Sequence, residues 1–377
     1  MKKIFRSIFV VLIFLFSLSL TSCDFIHVLF DQTSQSPDKG KTSDDKKDDD
    51  DKGKDKDKDD DTPIDDTPVV TNRSDVDYSS ITIDSFVVDY RNQYSYQEFA
   101  KDETYAAEMT EAYKTFYDEA VKVLKGSTNY ELKTDDGVTY FEVGKYESTN
   151  EQLIKTQIVS VLLQIIRENP IFYFLAPSYS IGSTRTKDGF GNVVKEVWYA
   201  SLVADGAYAS GNSRAQMNTK IINYAAGLIE NNDVNQKTDH QIVELINTNL
   251  MANLSYAYQS DNHTPEDSPW AHSVTGLYLY NKGVCECYAK NFKLLCDLLK
   301  VDSMFVIGIG NGGNHAWNIV KVNDNWYGID VTWNDTTGNS YYLLGKEFEE
   351  SHFINPNIYG PNFQVAIPEL AINNYSN

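Results

Sequence analysis

Residues 304–335, MFVIGIGNGGNHAWNIVKVNDNWYGIDVTWND, constrain the fold more tightly than any other part of this chain. Strand-forming residues run through the segment, and turn residues interrupt it at two places. Three strands are predicted: Met304–Ile309, His315–Val322 and Asn325–Trp333. A Gly/Asn loop joins the first pair, and Asn323-Asp324 joins the second. Asn at the first position of a two-residue turn suits a type I′ hairpin, in which both turn residues take positive φ. The turn then sets the register. Val322 opposes Asn325, Trp317 opposes Asp330, and His315 falls on the face of Asp330, one diagonal step away. Cβ atoms related in this way lie about 7–8 Å apart, close enough for an imidazole–carboxylate hydrogen bond. A slip of one residue would put the two on opposite faces. Ala316, Val320 and Val322 with Tyr327, Ile329, Val331 and Trp333 form the other face, expected to be core. The His/Asp face is left to look toward a further element, and a helix bearing Cys285 fits there.

Upstream, GVCECYAKNFKLLCDLLK spans residues 283–300 and holds three of the chain's four cysteines. Asn281-Lys282-Gly283 is a turn signal, and Tyr288, Phe292, Leu295, Cys296 and Leu299 mark one helical face. The helix is expected to start at or beside Cys285. A thiol there meets unpaired backbone N–H groups and the positive end of the helix dipole, and both favour thiolate. The same N–H groups suit an oxygen that gains negative charge. Cys296 and Cys287 are assigned to packing. Zinc binding by Cys285, Cys287, Cys296 and His315 lacks the usual ligand spacing. His272 and His352 have no position that the sequence fixes, and His240 is expected on the surface.

GVCECYAKNFKLLCDLL, NHAWNIVKVNDNWYGIDVTWND and YYLLGKEF resemble the transglutaminase-like superfamily, a papain-like fold. The resemblance covers about residues 240–345. It implies an α+β core in which a nucleophile helix packs on an antiparallel sheet, with residues 236–377 as that domain. It also implies catalytic roles: Cys285 as nucleophile, His315 as general base and acid, and Asp330 as the group that orients the imidazole. The implied reaction is acyl transfer from an amide or peptide bond through a thioester, without cofactor or metal. Trp317 is expected on the site face as a substrate-cleft residue, and Trp333 in the core. Cys287 is a departure, since relatives more often carry Gly there.

The two ends of the chain differ from this core. Lys2, Lys3 and Arg6 precede an apolar run from Ile8 to Leu20, which is secretory-signal architecture. Leu20-Thr21-Ser22-Cys23 resembles a bacterial lipobox, which implies a cleaved signal over residues 1–22 and lipidation at Cys23. Residues 23–75 include DKGKTSDDKKDDDDKGKDKDKDDD, too poor in apolar residues to offset chain entropy, and are expected to be a hydrated tether. The expected location is outside the cytoplasm, lipid-anchored to the bacterial cell membrane.

Residues 76–235 are expected to form a mostly helical extension. Helices are predicted at Ala100–Leu124 and Leu153–Ile166, and a hairpin at Ser178–Thr184 and Val193–Leu202. A net charge of −21 argues against nucleic acid as a partner. Two function classes follow. One is a surface enzyme with a protein or peptide substrate, cell-wall or surface material included. The other is a non-catalytic cell-surface binding module on the same fold.

Overall fold

A computed structural model describes residues 76–87, 117–126, 133–135, 138–147, 165–166, 168–354 and 367–376. The expected signal segment, Cys23 and the Asp/Lys-rich tether lie outside the described residues, as do most of the predicted helices at 100–124 and 153–166. Residues 117–126 are helical. No helix among the described residues is long and apolar enough to cross a membrane.

The fold is α+β. Its upstream part carries an antiparallel sheet of β1 (Lys133–Asp135), β2 (Val138–Glu147), β3 (Leu175–Lys187) and β4 (Val193–Ala204) in the order β1-β2-β4-β3. The predicted hairpin is β3–β4, turning through Asp188–Asn192. This extension therefore holds a four-stranded sheet beside its helices. Two helices follow, α1 (Gly211–Glu230) and α2 (Asp239–Asn253). Thr238 opens α2 with a capping box to Gln241, which satisfies backbone donors at both ends of the exchange.

A short parallel pair, β5 (Ser255–Tyr256) and β6 (Lys282–Gly283), flanks α3 (Thr275–Tyr280) and delivers the chain to α4 (Cys285–Leu298). The second antiparallel sheet has the order β10-β7-β8-β9, from β7 (Ser303–Gly310), β8 (Gly313–Val322), β9 (Asn325–Ile329) and β10 (His352–Ile354). The hairpin register is the predicted one, with Val322 opposite Asn325. Asn323 and Asp324 both have positive φ, as a type I′ turn demands. The β7–β8 loop is just as tight: Asn311 and Gly312 turn the chain with positive φ, and Gly310 pairs with Gly313.

The third strand is shorter than predicted. It stops at Ile329, and α5 (Val331–Thr337) begins with Asp330 as its N-cap and ends against Gly338 in the left-handed region. The local signal was an Asp before a turn of helix and a Gly after it. Alternation along the strand masked that signal.

Helix α4 is buried almost all round, so the apolar stripe understates its burial. One side packs on the sheet: Ala289 and Cys285 form a buried cluster with Phe305 and Ala316, and Asn318 Nδ2 donates to the Ala289 carbonyl at 3.0 Å. The face assigned to the core is thus the one that α4 covers, a correction to the expected arrangement. Another side meets the upstream block, whose Phe86, Phe172 and Phe174 share one core with Leu294 and Leu298.

Helix α4 also buries an ion pair. Lys293 Nζ lies 2.5 Å from Asp297 Oδ1, with the side chains 1% and 3% exposed. Burial pushes the Asp297 carboxyl up to about 7, and Lys293 offsets this only in part. Removal of the ammonium leaves a buried carboxylate without its cation. We therefore expect Lys293→Met to lose ~3 kcal/mol in urea unfolding at pH 8. The loss shrinks toward pH 5, because the folded carboxyl, raised above its ordinary 3.8, is then protonated in both proteins. An equal loss at both pH values would contradict this assignment.

Candidate active site

One face of the second sheet carries the site. In β8 it presents His315, Trp317 and Ile319, paired across β7 with Gly308, Val306 and Met304. His352 of β10 pairs with Gly310 and joins the same face. Gly308 and Gly310 are needed there. A Cβ on Gly310 would meet the His315 ring, and one on Gly308 would meet Trp317 and the Phe353 carbonyl. The GIG step is the clearance for the His315 and Trp317 rings.

The predicted His315–Asp330 bond is present: Nε2 lies 2.7 Å from Oδ2, and both residues are buried. Asp330 does more than orient one imidazole. Its Oδ1 accepts from the Trp333 N–H at 3.1 Å, which caps α5. Its Oδ2 also takes His352 Nε2 at 3.2 Å. Burial would raise the Asp330 carboxyl, yet the hydrogen bonds and charges of His315 and His352 outweigh it and hold the group below its usual range. Burial keeps His352 below the usual histidine value, against the pull of Asp330.

Aromatic rings fix both imidazoles. Trp333 stacks on His315 at 4.7 Å and 15°, and Phe348 stacks on His352 at 3.8 Å and 8°. The two tryptophans exchange their expected places. Trp317 is 1% exposed and packs edge-on against His352, so it is a floor under the site and not a cleft wall. Trp333, expected in the core, is partly exposed and covers His315. The turn into α5 at Asp330 brings it there.

Cys285 is the first residue of α4, as predicted, with Val284 as an N-cap that offers no side-chain bond. It is 5% exposed, in the cluster with Ala316, the chain neighbour of His315. Beside it, Glu286 binds Lys290 at 2.7 Å and His272 Nδ1 at 3.0 Å. Burial opposes ionisation of Glu286, but Lys290 and His272 prevail and bring its carboxyl down to about 2. Its negative charge, on the residue next to the thiol, is therefore matched.

The other thiols are packing groups. Cys287 is fully buried, and burial pushes its thiol up to about 12. Its side chain fills the space that a Cβ on Gly283 would take. A residue larger than Gly at 287 thus fits because 283 is Gly. Cys296 is also buried. His240 is partly buried and stacks on Tyr375.

His315, Asp330 and His352 place potential metal-ligand atoms within 4.8 Å of one another. The 2.7 Å nitrogen–oxygen contact is hydrogen-bond spacing, tighter than the ~3.3 Å between ligands around a tetrahedral zinc with bonds of about 2.0–2.1 Å. His352 had no sequence signal of its own.

The profile of the Transglutaminase-like superfamily matches residues 226–331, which include Cys285, His315 and Asp330. No curated protein matches the chain. Among solved structures, a TGase is 17% identical, with a TM-score of 0.28, over 45% of this chain and 49% of its own length. The chain thus spans about half of that protein. A candidate cysteine protease from Cytophaga hutchinsonii is 11% identical, with a TM-score of 0.23, over 54% of this chain and 69% of that one. The periplasmic domain of TgpA from Pseudomonas aeruginosa is 10% identical, with a TM-score of 0.24, over 47% and 76%. Likenesses this distant carry no argument about the site. The family match falls on the helix-on-sheet core, and residues 226–331 are similar to the transglutaminase-like superfamily.

Proposed function

We propose that this protein is a surface-anchored cysteine enzyme that acts on amide or peptide bonds through Cys285, His315 and Asp330. The observation that carries the reading is the buried 2.7 Å bond from His315 Nε2 to Asp330. An ionised carboxylate only accepts, so Nε2 holds the proton and Nδ1 is the nitrogen available to a thiol. Cys285, in the cluster beside Ala316 at the start of α4, is the thiol in question.

In the proposed cycle Nδ1 takes the thiol proton and the sulfur attacks the carbonyl carbon. The carbonyl oxygen becomes an oxyanion, which the N–H groups of the first helical turn are suited to hold. Collapse breaks the C–N bond, and the imidazolium gives its proton to the leaving ammonia or amine. A thioester remains. An incoming amine or water loses a proton to Nδ1, attacks that thioester and restores the thiol. Asp330 keeps its charge throughout and holds the ring orientation. The substrate proposed is a protein or peptide, with wall-linked and surface-linked material in scope. No nucleic acid is involved.

Iodoacetamide tests the first step without a known substrate. At neutral pH we expect Cys285 to be labelled at least tenfold faster than a free thiol, and His315→Ala to remove most of the excess. Labelling at the free-thiol rate would leave a surface binding module as the better account. Ammonia release measured with and without an added primary amine then separates transamidation from hydrolysis.

The anchor is proposed from the apolar run Ile8–Leu20 and the Leu20-Thr21-Ser22-Cys23 step that follows it. Cys23→Ser should move the protein from the membrane fraction to the soluble fraction of its host. Unchanged membrane retention would contradict lipidation there.

A further inference from the structure

The site contains a second histidine that the proposed cycle leaves unused. His352 lies 22 residues beyond Asp330 and reaches it only because β10 pairs with β7. It is 2% exposed, and its ring sits between Phe348, Trp317 and Trp333. One element of this cage would suffice for packing.

The proton positions follow from the partners. Asp330 Oδ2 accepts, so His352 Nε2 must carry a hydrogen. In the neutral ring Nδ1 then has the lone pair. Ser351 Oγ lies 2.9 Å from Nδ1 and 3.4 Å from the Phe348 carbonyl, to which its hydroxyl can donate. His315 Nε2 donates to the same oxygen from 2.7 Å. Two imidazoles share one carboxylate oxygen, while Oδ1 is held by the helix cap.

We propose that His352 is a positioning residue for the triad: its Nε2–H shares the Asp330 carboxylate with His315 and limits how tightly that carboxylate holds the His315 proton. The proposal rests on the catalytic reading of Cys285, His315 and Asp330. A lone buried aspartate would lean its whole charge on His315 and favour the imidazolium. A second neutral donor takes part of that charge, which leaves the base free to accept and return a proton within one cycle. The titratable groups that face His352 are Asp330 from the start of α5, His315 from β8 and Tyr341 from the loop after α5, its ring 5.8 Å away. The charged residues of the turn at 346–350 are exposed, apart from Phe348 between them.

The test is a pH titration of the full chain labelled in its histidine rings, of which there are six. His352→Phe keeps a ring in the cage and removes the donor. His352→Gln returns an N–H without the ring. In His352→Phe the His315 ring signals should change protonation about one pH unit higher than in the parent, the effect expected on loss of one hydrogen bond to a charged group. In His352→Gln the midpoint should return most of the way. If the Phe variant fails to fold, the Gln variant and the parent still decide the matter. The parent must show His352 as the neutral Nε2–H tautomer at neutral pH, and the Gln midpoint must stay near the parent's. Superimposable His315 titrations in parent and Phe variant would overturn the proposal, as would an Nδ1–H or charged His352 in the parent. Neither readout needs turnover, so this failure differs from that of the catalytic reading, which would appear as ordinary Cys285 reactivity in the parent.

Discussion

The Asp330 carboxylate is the contact on which the site depends. It sits where β9 ends and α5 begins, and its three hydrogen bonds each fix a different element. The bond to the Trp333 N–H starts the helix. The bond to His315 sets an imidazole on the central hairpin. The bond to His352 ties the edge strand β10 to the same point. Burial makes an unpaired carboxylate costly, so these donors are needed together to keep it ionised. A group that the proposed chemistry needs in its charged form is thereby also a structural joint.

That joint explains why the surroundings are aromatic and glycine-rich. Gly308 pairs with His315 and Gly310 with His352, both without a side chain on β7, and Gly328 leaves space for the Phe348 ring under His352. Rings on Trp333, Phe348 and Trp317 then restrict both imidazoles. Across the sheet, α4 supplies the thiol from a helix whose burial comes from both the sheet and the upstream block. The upstream residues thus act on the site at one remove, by fixing the helix that starts at Cys285.

Much of this was legible in the sequence. Asn323-Asp324 set the hairpin register, and the register alone put His315 and Asp330 on one face. The helix start at Cys285 followed from a turn signal and the apolar spacing behind it. Three features were hidden. Trp333 was placed in the core because alternation continued past Asp330, although the chain there turns into a helix. The face chosen for α4 was wrong because both faces of a central sheet are covered, and alternation cannot say by what. His352 was unplaced because its role depends on pairing between strands distant in sequence, for which no local pattern exists. The alternating glycines at 308 and 310 were the one available hint, since a strand without side chains implies something close above it.

The central claim is that Cys285 and His315 share a proton on a site held by Asp330. Ultraviolet absorbance of thiolate, followed through a pH titration of the full chain, tests it most directly. The account predicts a thiolate signal that persists well below the ordinary cysteine range and vanishes in Cys285→Ala and in His315→Ala. A signal that rises only near the free-cysteine value of about 8.5, unchanged by loss of His315, would contradict it.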